Sequence, residues 1–74
     1  MTRKELKKLK TAAEQKQGNE FLKAMFEFHD TAAEWWDSEA YTDTALTEER
    51  IQKQWEYHCI ARDYYYKLMK EDQA

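Results

Sequence analysis

The sequence contains no proline and a single glycine, Gly18, among its 74 residues. β-Hairpins need turn residues at regular intervals, and here those residues are nearly absent. The chain also has only one cysteine, Cys59, so an intrachain disulfide is excluded. A lone free thiol is more typical of a reducing compartment than of a secreted protein. These shortages exclude a disulfide-stabilised β domain and favour helices.

Long hydrophobic runs are missing as well. The basic start MTRKELKKLK is not followed by the apolar stretch of a secretory signal, and no segment approaches the roughly 20 apolar residues of a membrane span. We therefore expect a cytoplasmic protein that does not enter a membrane. Aromatic residues reach 15% of the chain, which is more than disordered chains contain. The length allows one small domain, residues 1–74, whose modest core favours an oligomer.

The spacing of apolar residues predicts three helices and an all-α fold. The first helix, over residues 2–17, starts with Thr2 and Glu5 at the spacing of a capping box. Its few apolar anchors are Leu6, Leu9, Ala12 and Ala13. Gly18 suits the left-handed residue that ends many helices, and Asn19 is placed to cap the next helix. The alternative is one continuous helix through Gly18, which costs about 1 kcal/mol relative to alanine.

The second and third helices carry most of the apolar residues. The second is predicted over residues 20–38, with one broad apolar face. The opposite side of this helix is an almost entirely acidic stripe that consists of Glu20, Lys23, Glu27, Asp30, Glu34 and Asp37. The third is predicted over residues 48–71, with Thr47 as N-cap and Leu46 and Ile51 at the positions of a hydrophobic staple. Because the connecting loop is short, the two helices should form a long antiparallel hairpin.

Apolar residues cover more than half of the circumference of the third helix. One face consists of Ile51, Trp55, His58, Arg62, Tyr65 and Met69. A second face about 100° away consists of Tyr57, Ala61, Tyr64 and Leu68. A helix that packs on one side needs only a narrower stripe, so this helix should be covered on two sides. The second helix supplies one cover, and the other is either the first helix or a second copy of the chain. We predict a small three-helix bundle that forms a homodimer through the second face.

Charge is unevenly distributed along the chain. Residues 1–18 carry six basic and two acidic side chains, whereas residues 19–49 carry nine acidic side chains and one lysine. One interpretation is that the basic helix packs against the acidic one. The other is that acidic and aromatic residues face a basic partner, because acidic surfaces speed association and aromatic rings anchor interfaces. The predicted partner-binding residues are Glu27, Asp30, Glu34, Trp35, Asp37, Glu39 and Tyr41.

These features predict a small non-enzymatic protein-binding module, an inhibitor or adaptor that occludes a basic site on a larger protein. Its size and charge suit an inhibitor encoded by a phage or another mobile element. The second hypothesis is a nucleic-acid-associated protein that uses the basic residues 3–16, with weak and salt-dependent binding.

A third hypothesis is a small-ligand or catalytic site, because a histidine base, a thiol and a cation should lie at one level of the hairpin. The residues concerned are His29, His58, Cys59 and Arg62. The structural alternative is that the histidines form hydrogen bonds inside the bundle while Arg62 pairs with an acid of the second helix. An enzyme is the least favoured class, because there is almost no glycine to build an oxyanion loop.

No metal-binding pattern is visible in the sequence. Neither His29 nor His58 has a glutamate three residues before it, and His-Glu-x-x-His is absent. Cys59 has no second cysteine with which to share a metal. We therefore expect neither a metal nor another cofactor.

Overall fold

The computed structural model describes the backbone of residues 1–73 and the side chains of residues 1–71. It contains three α-helices and one 3-10 helix, which are α1 (Arg3–Glu14), α2 (Gly18–Asp37), the 3-10 helix (Glu39–Thr42) and α3 (Glu48–Gln73). No strand occurs in this part of the chain, so the prediction of an all-α fold is confirmed. No helix within it combines the length and the apolar character needed to span a membrane.

α1 begins where the sequence predicts. Thr2 Oγ1 accepts a hydrogen bond from the backbone N–H of Glu5 at 3.2 Å, and the Glu5 carboxylate lies 3.5 Å from the same hydroxyl. The helix ends at Glu14, three residues before its predicted end. The reason is that the N–H groups of Gln15 and Lys16 donate to carbonyls three residues back, which tightens and closes the last turn.

Gly18 separates α1 from α2. Its φ of 62° is the left-handed conformation that the sequence predicts, and glycine adopts it without steric penalty. α1 folds back onto α2 at this point, so the two are separate helices and the alternative of one continuous helix is wrong. The prediction that Asn19 caps α2 is also wrong, because Gln17 occupies the N-cap position without a side-chain hydrogen bond.

α2 and α3 form the predicted antiparallel hairpin. The ring of Phe21, early in α2, meets that of Tyr65, late in α3, at a centroid distance of 6.2 Å. Further along α2, the ring of His29 lies 5.1 Å from that of His58. Residue numbers therefore rise on one helix as they fall on the other, which is the pairing of antiparallel helices.

The main core lies where the connected ends of α2 and α3 meet the first half of α1. Its buried side chains are Leu6, Phe28, Ala32, Trp35, Trp36, Ala40 and Ile51. Leu46 packs against this cluster, in agreement with the predicted staple. Thr47 Oγ1 accepts a hydrogen bond from the N–H of Arg50 at 3.2 Å, which confirms the predicted cap of α3.

α1 covers α2 but leaves α3 open. Among the described residues, no Cα atom of α1 lies within 8 Å of a Cα atom of α3. On the second face of α3, Tyr57 is 54% exposed and Tyr64 is 57% exposed, while Ala61 and Leu68 are only partly buried. The first helix therefore leaves most of the second face of α3 exposed, although Leu6 shares a core cluster with Ile51 at the start of α3, and the homodimer stays a prediction.

Candidate functional site

His29 on α2 and His58 on α3 meet across the hairpin, as the register of the helices predicts. Their Nδ1 atoms lie 2.9 Å apart, and both rings are buried. Burial lowers the pKa of both rings and, with the positive charges of His29 and Lys10, lowers the pKa of His58 to about 4. Both imidazoles are therefore neutral at pH 7, and one Nδ1–H donates to the other Nδ1.

Aromatic rings enclose this histidine pair. Tyr65 stacks on His29 at a centroid distance of 5.6 Å and an angle of 12°, and Phe28 meets His58 edge to face at 5.8 Å. A neutral pair suits such surroundings, because the rings provide no charge to stabilise an imidazolium in place of water. These rings exclude water from the histidines, and this burial is the largest cause of their lowered pKa values.

Arg62 pairs with two carboxylates. Its Nη1 lies 3.6 Å from Asp30 Oδ1 on α2, and its Nε donates to Asp63 Oδ1 at 3.3 Å. Cys59 is partly buried on the next face of α3. The histidines bond to each other and Arg62 pairs with an acid of α2, which is the arrangement of the structural alternative. In the part of the chain that the structure describes, no three His, Cys, Asp or Glu side chains are grouped to hold a metal ion.

Trp35 does not lie on the surface, contrary to its predicted role in partner binding. It is 8% exposed, and its Nε1 donates a hydrogen bond to the carbonyl oxygen of Met1 at 2.8 Å. The chain before α2 folds back over this side of the helix and buries the indole. Trp36 is also buried, and the guanidinium carbon of Arg3 lies 5.7 Å from the centre of its ring.

The other predicted partner-binding residues divide into two groups. Asp30 and Glu39 are in ion pairs, the first with Arg62 and the second with the amino group of Met1 at 3.6 Å. The exposed group comprises Glu27, Glu34, Asp37 and Tyr41. The free part of the predicted surface is therefore the solvent side of α2 together with the 3-10 helix that follows it.

A cavity of about 200 Å³ opens at the end of α2. Its lining residues are Trp36, Asp37, Tyr41, Gln52 and Trp55. The rings of Tyr41 and Trp55 are 59% and 39% exposed, so both present area to a ligand. Aromatic faces attract cations and a carboxylate adds negative charge, so this combination of groups can hold an ammonium or guanidinium group.

Gln52 and Trp55 were not predicted as site residues. The sequence pattern places Trp55 on the face of α3 that packs against α2, so it does not predict that part of the ring is exposed. Only the register of the hairpin places both residues beside Asp37, 15 or more positions earlier in the chain. No local sequence signal identifies such a pairing, because it depends on the path of the loop between the helices.

Comparison of the chain with protein-family models, with curated proteins and with solved structures found no match.

Proposed function

We propose that this protein is a non-enzymatic binding module that docks on a basic surface of a larger protein and acts there as an inhibitor or adaptor. Its docking surface, which we call the acidic-aromatic surface, consists of Glu34, Asp37, Tyr41 and Trp55. An inhibitor of cytoplasmic targets, encoded by a phage or another mobile element, suits the size and charge of the chain.

The observation that carries this proposal is the cavity beside Asp37. It combines a carboxylate with three aromatic rings in a space of about 200 Å³. Lysine and arginine side chains from a partner match it in charge and in shape, because their alkyl stems pack on rings while their heads pair with the acid. A central anchor of this kind dominates the affinity of many protein interfaces.

The charges around the cavity support the same choice of partner. Glu34 and Asp37 are three positions apart on α2, so their carboxylates project on neighbouring parts of one helix surface. Both are exposed, and neither forms an ion pair with another described residue. Unpaired acids of one sign steer a basic partner toward the surface and raise its association rate.

The proposal is tested by charge reversal after the partner has been identified by pull-down and mass spectrometry. Glu34→Lys with Asp37→Lys should weaken binding, measured by titration calorimetry, and the loss should shrink as salt rises. Lys8→Glu with Lys16→Glu is the matched control, because it reverses two exposed charges of residues 3–16 that line neither the cavity beside Asp37 nor the space beside the 3-10 helix. If the Glu34→Lys, Asp37→Lys protein still binds and the lysine-to-glutamate control does not, the proposal is rejected in favour of the nucleic-acid hypothesis.

The aromatic part of the surface needs a separate variant. Tyr41→Ala removes an exposed ring without emptying the core, since Tyr41 is 59% exposed. We expect weaker binding at all salt concentrations, because packing on a ring is not screened by ions. Unchanged affinity in this variant would show that charge alone directs the docking.

We also propose a second copy of the chain as the partner of the open face of α3. The observation that favours it is the spacing of that face, Tyr57, Ala61, Tyr64 and Leu68, which alternates steps of four and three. This is the spacing of the contact positions in a coiled coil, where two like helices pack along a narrow seam. In such a dimer, the open face of α3 in one copy covers the exposed Tyr57 and Tyr64 of the other copy.

A further inference from the structure

A cleft of about 230 Å³ lies between α1 and the α2–α3 hairpin. The backbones of α1 and α3 stay more than 8 Å apart between Cα atoms, and side chains of both helices, His58 among them, line the space between them. Trp36 lines this cleft on one side and the cavity beside Asp37 on another. The two cavities are therefore distinct, and the acidic-aromatic surface contributes no carboxylate to the cleft.

Three basic side chains of α1, Arg3, Lys7 and Lys10, line the cleft. Their spacing of four and three positions places them on one face of the helix. Among the described residues, no acidic side chain lines the cleft, and no basic side chain of α1 forms an ion pair with an acid of α2. The basic helix therefore packs against the acidic one, as one interpretation of the charge pattern holds, but without ion pairs between them among the described residues, and these three positive charges line the cleft without a counter-charge.

The positive charge of Lys10 acts on the histidine pair beside the cleft. Lys10 contributes to the lowered pKa of both His29 and His58, after the larger effect of burial. A side chain that disfavours a positive charge on the histidines must favour a negative charge in the same space. The cleft is therefore suited to an anion.

The floor of the cleft is aromatic. Phe28, Trp36 and Tyr57 line it, and Gln54 and His58 add polar groups at the side of α3. Flat apolar walls with a few polar groups are typical of small-molecule sites. The volume lies below the roughly 300–1,000 Å³ of drug-sized pockets, which limits a ligand to about the size of a mononucleotide.

We propose that this cleft binds a small organic anion in which a planar ring carries a phosphate or carboxylate group. The ring lies against Tyr57 and the edges of Phe28 and Trp36 that reach the cleft, and the anionic group lies against Arg3, Lys7 and Lys10. Neither the ring nor the anionic group of the ligand should bind well alone. The aromatic floor does not stabilise a hydrated ion, and the cations add little to the binding of an uncharged ring. This site is independent of the acidic-aromatic surface and of its partner, and it shares Tyr57 with the open face of α3.

The test uses adenosine 5′-monophosphate and 2-naphthoate as two aromatic anions, with adenosine and inorganic phosphate as the separated halves. Titrations are followed by amide and ring NMR signals of the full chain. We expect saturable shifts at Gln54 and His58 with dissociation constants near or below about 1 mM for an aromatic anion, and weaker binding of each half. The bound anion should also raise the pKa of His58.

Two matched variants decide whether the cleft is the site. Lys7→Gln with Lys10→Gln should weaken binding of the aromatic anion about tenfold, because it removes two cations that line the cleft. Lys4→Gln with Lys8→Gln removes the same charge from the same helix outside the cleft and should leave affinity within about twofold.

Three results would overturn the proposal. The first is the absence of saturable shifts with either aromatic anion up to about 10 mM. The second is an equal loss of affinity for the aromatic anion in both lysine variants, which would indicate binding by net charge. The third is a single-stranded oligonucleotide that binds more tightly than both probes and loses affinity equally in both variants, since that result assigns α1 to nucleic acid.

Discussion

The Nδ1 atoms of His29 and His58 lie 2.9 Å apart in the interface between α2 and α3. Each ring satisfies a buried polar atom of the other, so the pair joins the two long helices at a level that is otherwise enclosed by aromatic rings. The bond requires one protonated and one unprotonated Nδ1. Protonation of both rings would turn this bond into a repulsion between two buried charges.

The stability of the protein should therefore fall in acid. The pKa of His58 is lowered from 6.5 to about 4 on folding, so below pH 6.5 the unfolded chain binds a proton that the folded chain does not. The contribution is fully present above pH 6.5 and is lost as the pH falls toward 4, by up to about 3 kcal/mol. Urea denaturation at several pH values between 7 and 4 measures this loss.

The control for the acid effect is His58→Gln. Its amide can form a hydrogen bond with His29 but does not titrate, and Lys10, Tyr57 and Tyr65, which also face the pair, are unchanged. We expect a clearly smaller loss of stability between pH 6.5 and 4 in this variant. The same pH dependence in both proteins would assign the acid sensitivity to carboxylates elsewhere.

Gly18→Ala should destabilise the protein by about 1 kcal/mol. The cost comes from the backbone alone, because the φ of 62° disfavours a side chain while nothing lies within 4 Å of an added Cβ. Gly18→Asn is the control and should cost less, since asparagine tolerates the left-handed conformation. The measurement is the free energy of unfolding of each variant. A more stable Gly18→Ala protein, as expected at an ordinary helical position, would contradict this prediction.

α1 should be the first helix to open. Only Leu6 and Ala13 are buried in it, and a helix of 12 residues is marginal without packing. Hydrogen exchange should be faster for the amides of α1 than for residues 51–66, and Leu6→Ala should increase the difference. Leu9→Ala is the matched control because Leu9 is 39% exposed. Equal protection of α1 and residues 51–66 in the parent protein would be inconsistent with this prediction.

The homodimer is tested by light scattering on a chromatographic peak. We expect about twice the mass of one chain, and Tyr64→Glu should give monomers because it places a charge in the proposed seam. Tyr41→Glu makes the same change at an exposed ring outside α3 and should leave the dimer intact. A monomeric parent protein over about a tenfold range of concentration would reject the dimer.

The helices and most of their ends were predictable from the sequence. Thr2, Thr47 and Gly18 act through hydrogen bonds or dihedral angles within a few residues, so their effects do not depend on the rest of the fold. Asn19 is the exception, because α2 starts at the left-handed Gly18, two residues earlier than the pattern suggests. The meeting of His29 and His58 was also predictable, since a short loop leaves an antiparallel hairpin little freedom of register.

The sequence by itself determined an all-α chain with two long amphipathic helices, because apolar periodicity and capping are local properties. The tertiary structure decided the exposure of each aromatic residue and the position of α1. The broad apolar face of α2 accepts two neighbours, and only packing settles that α1 covers Trp35 while Tyr57 and Tyr64 stay exposed. The cleft results from the position of α1 and the cavity beside Asp37 from the register of α2 and α3, and each combines residues of separate elements that no local interaction brings together.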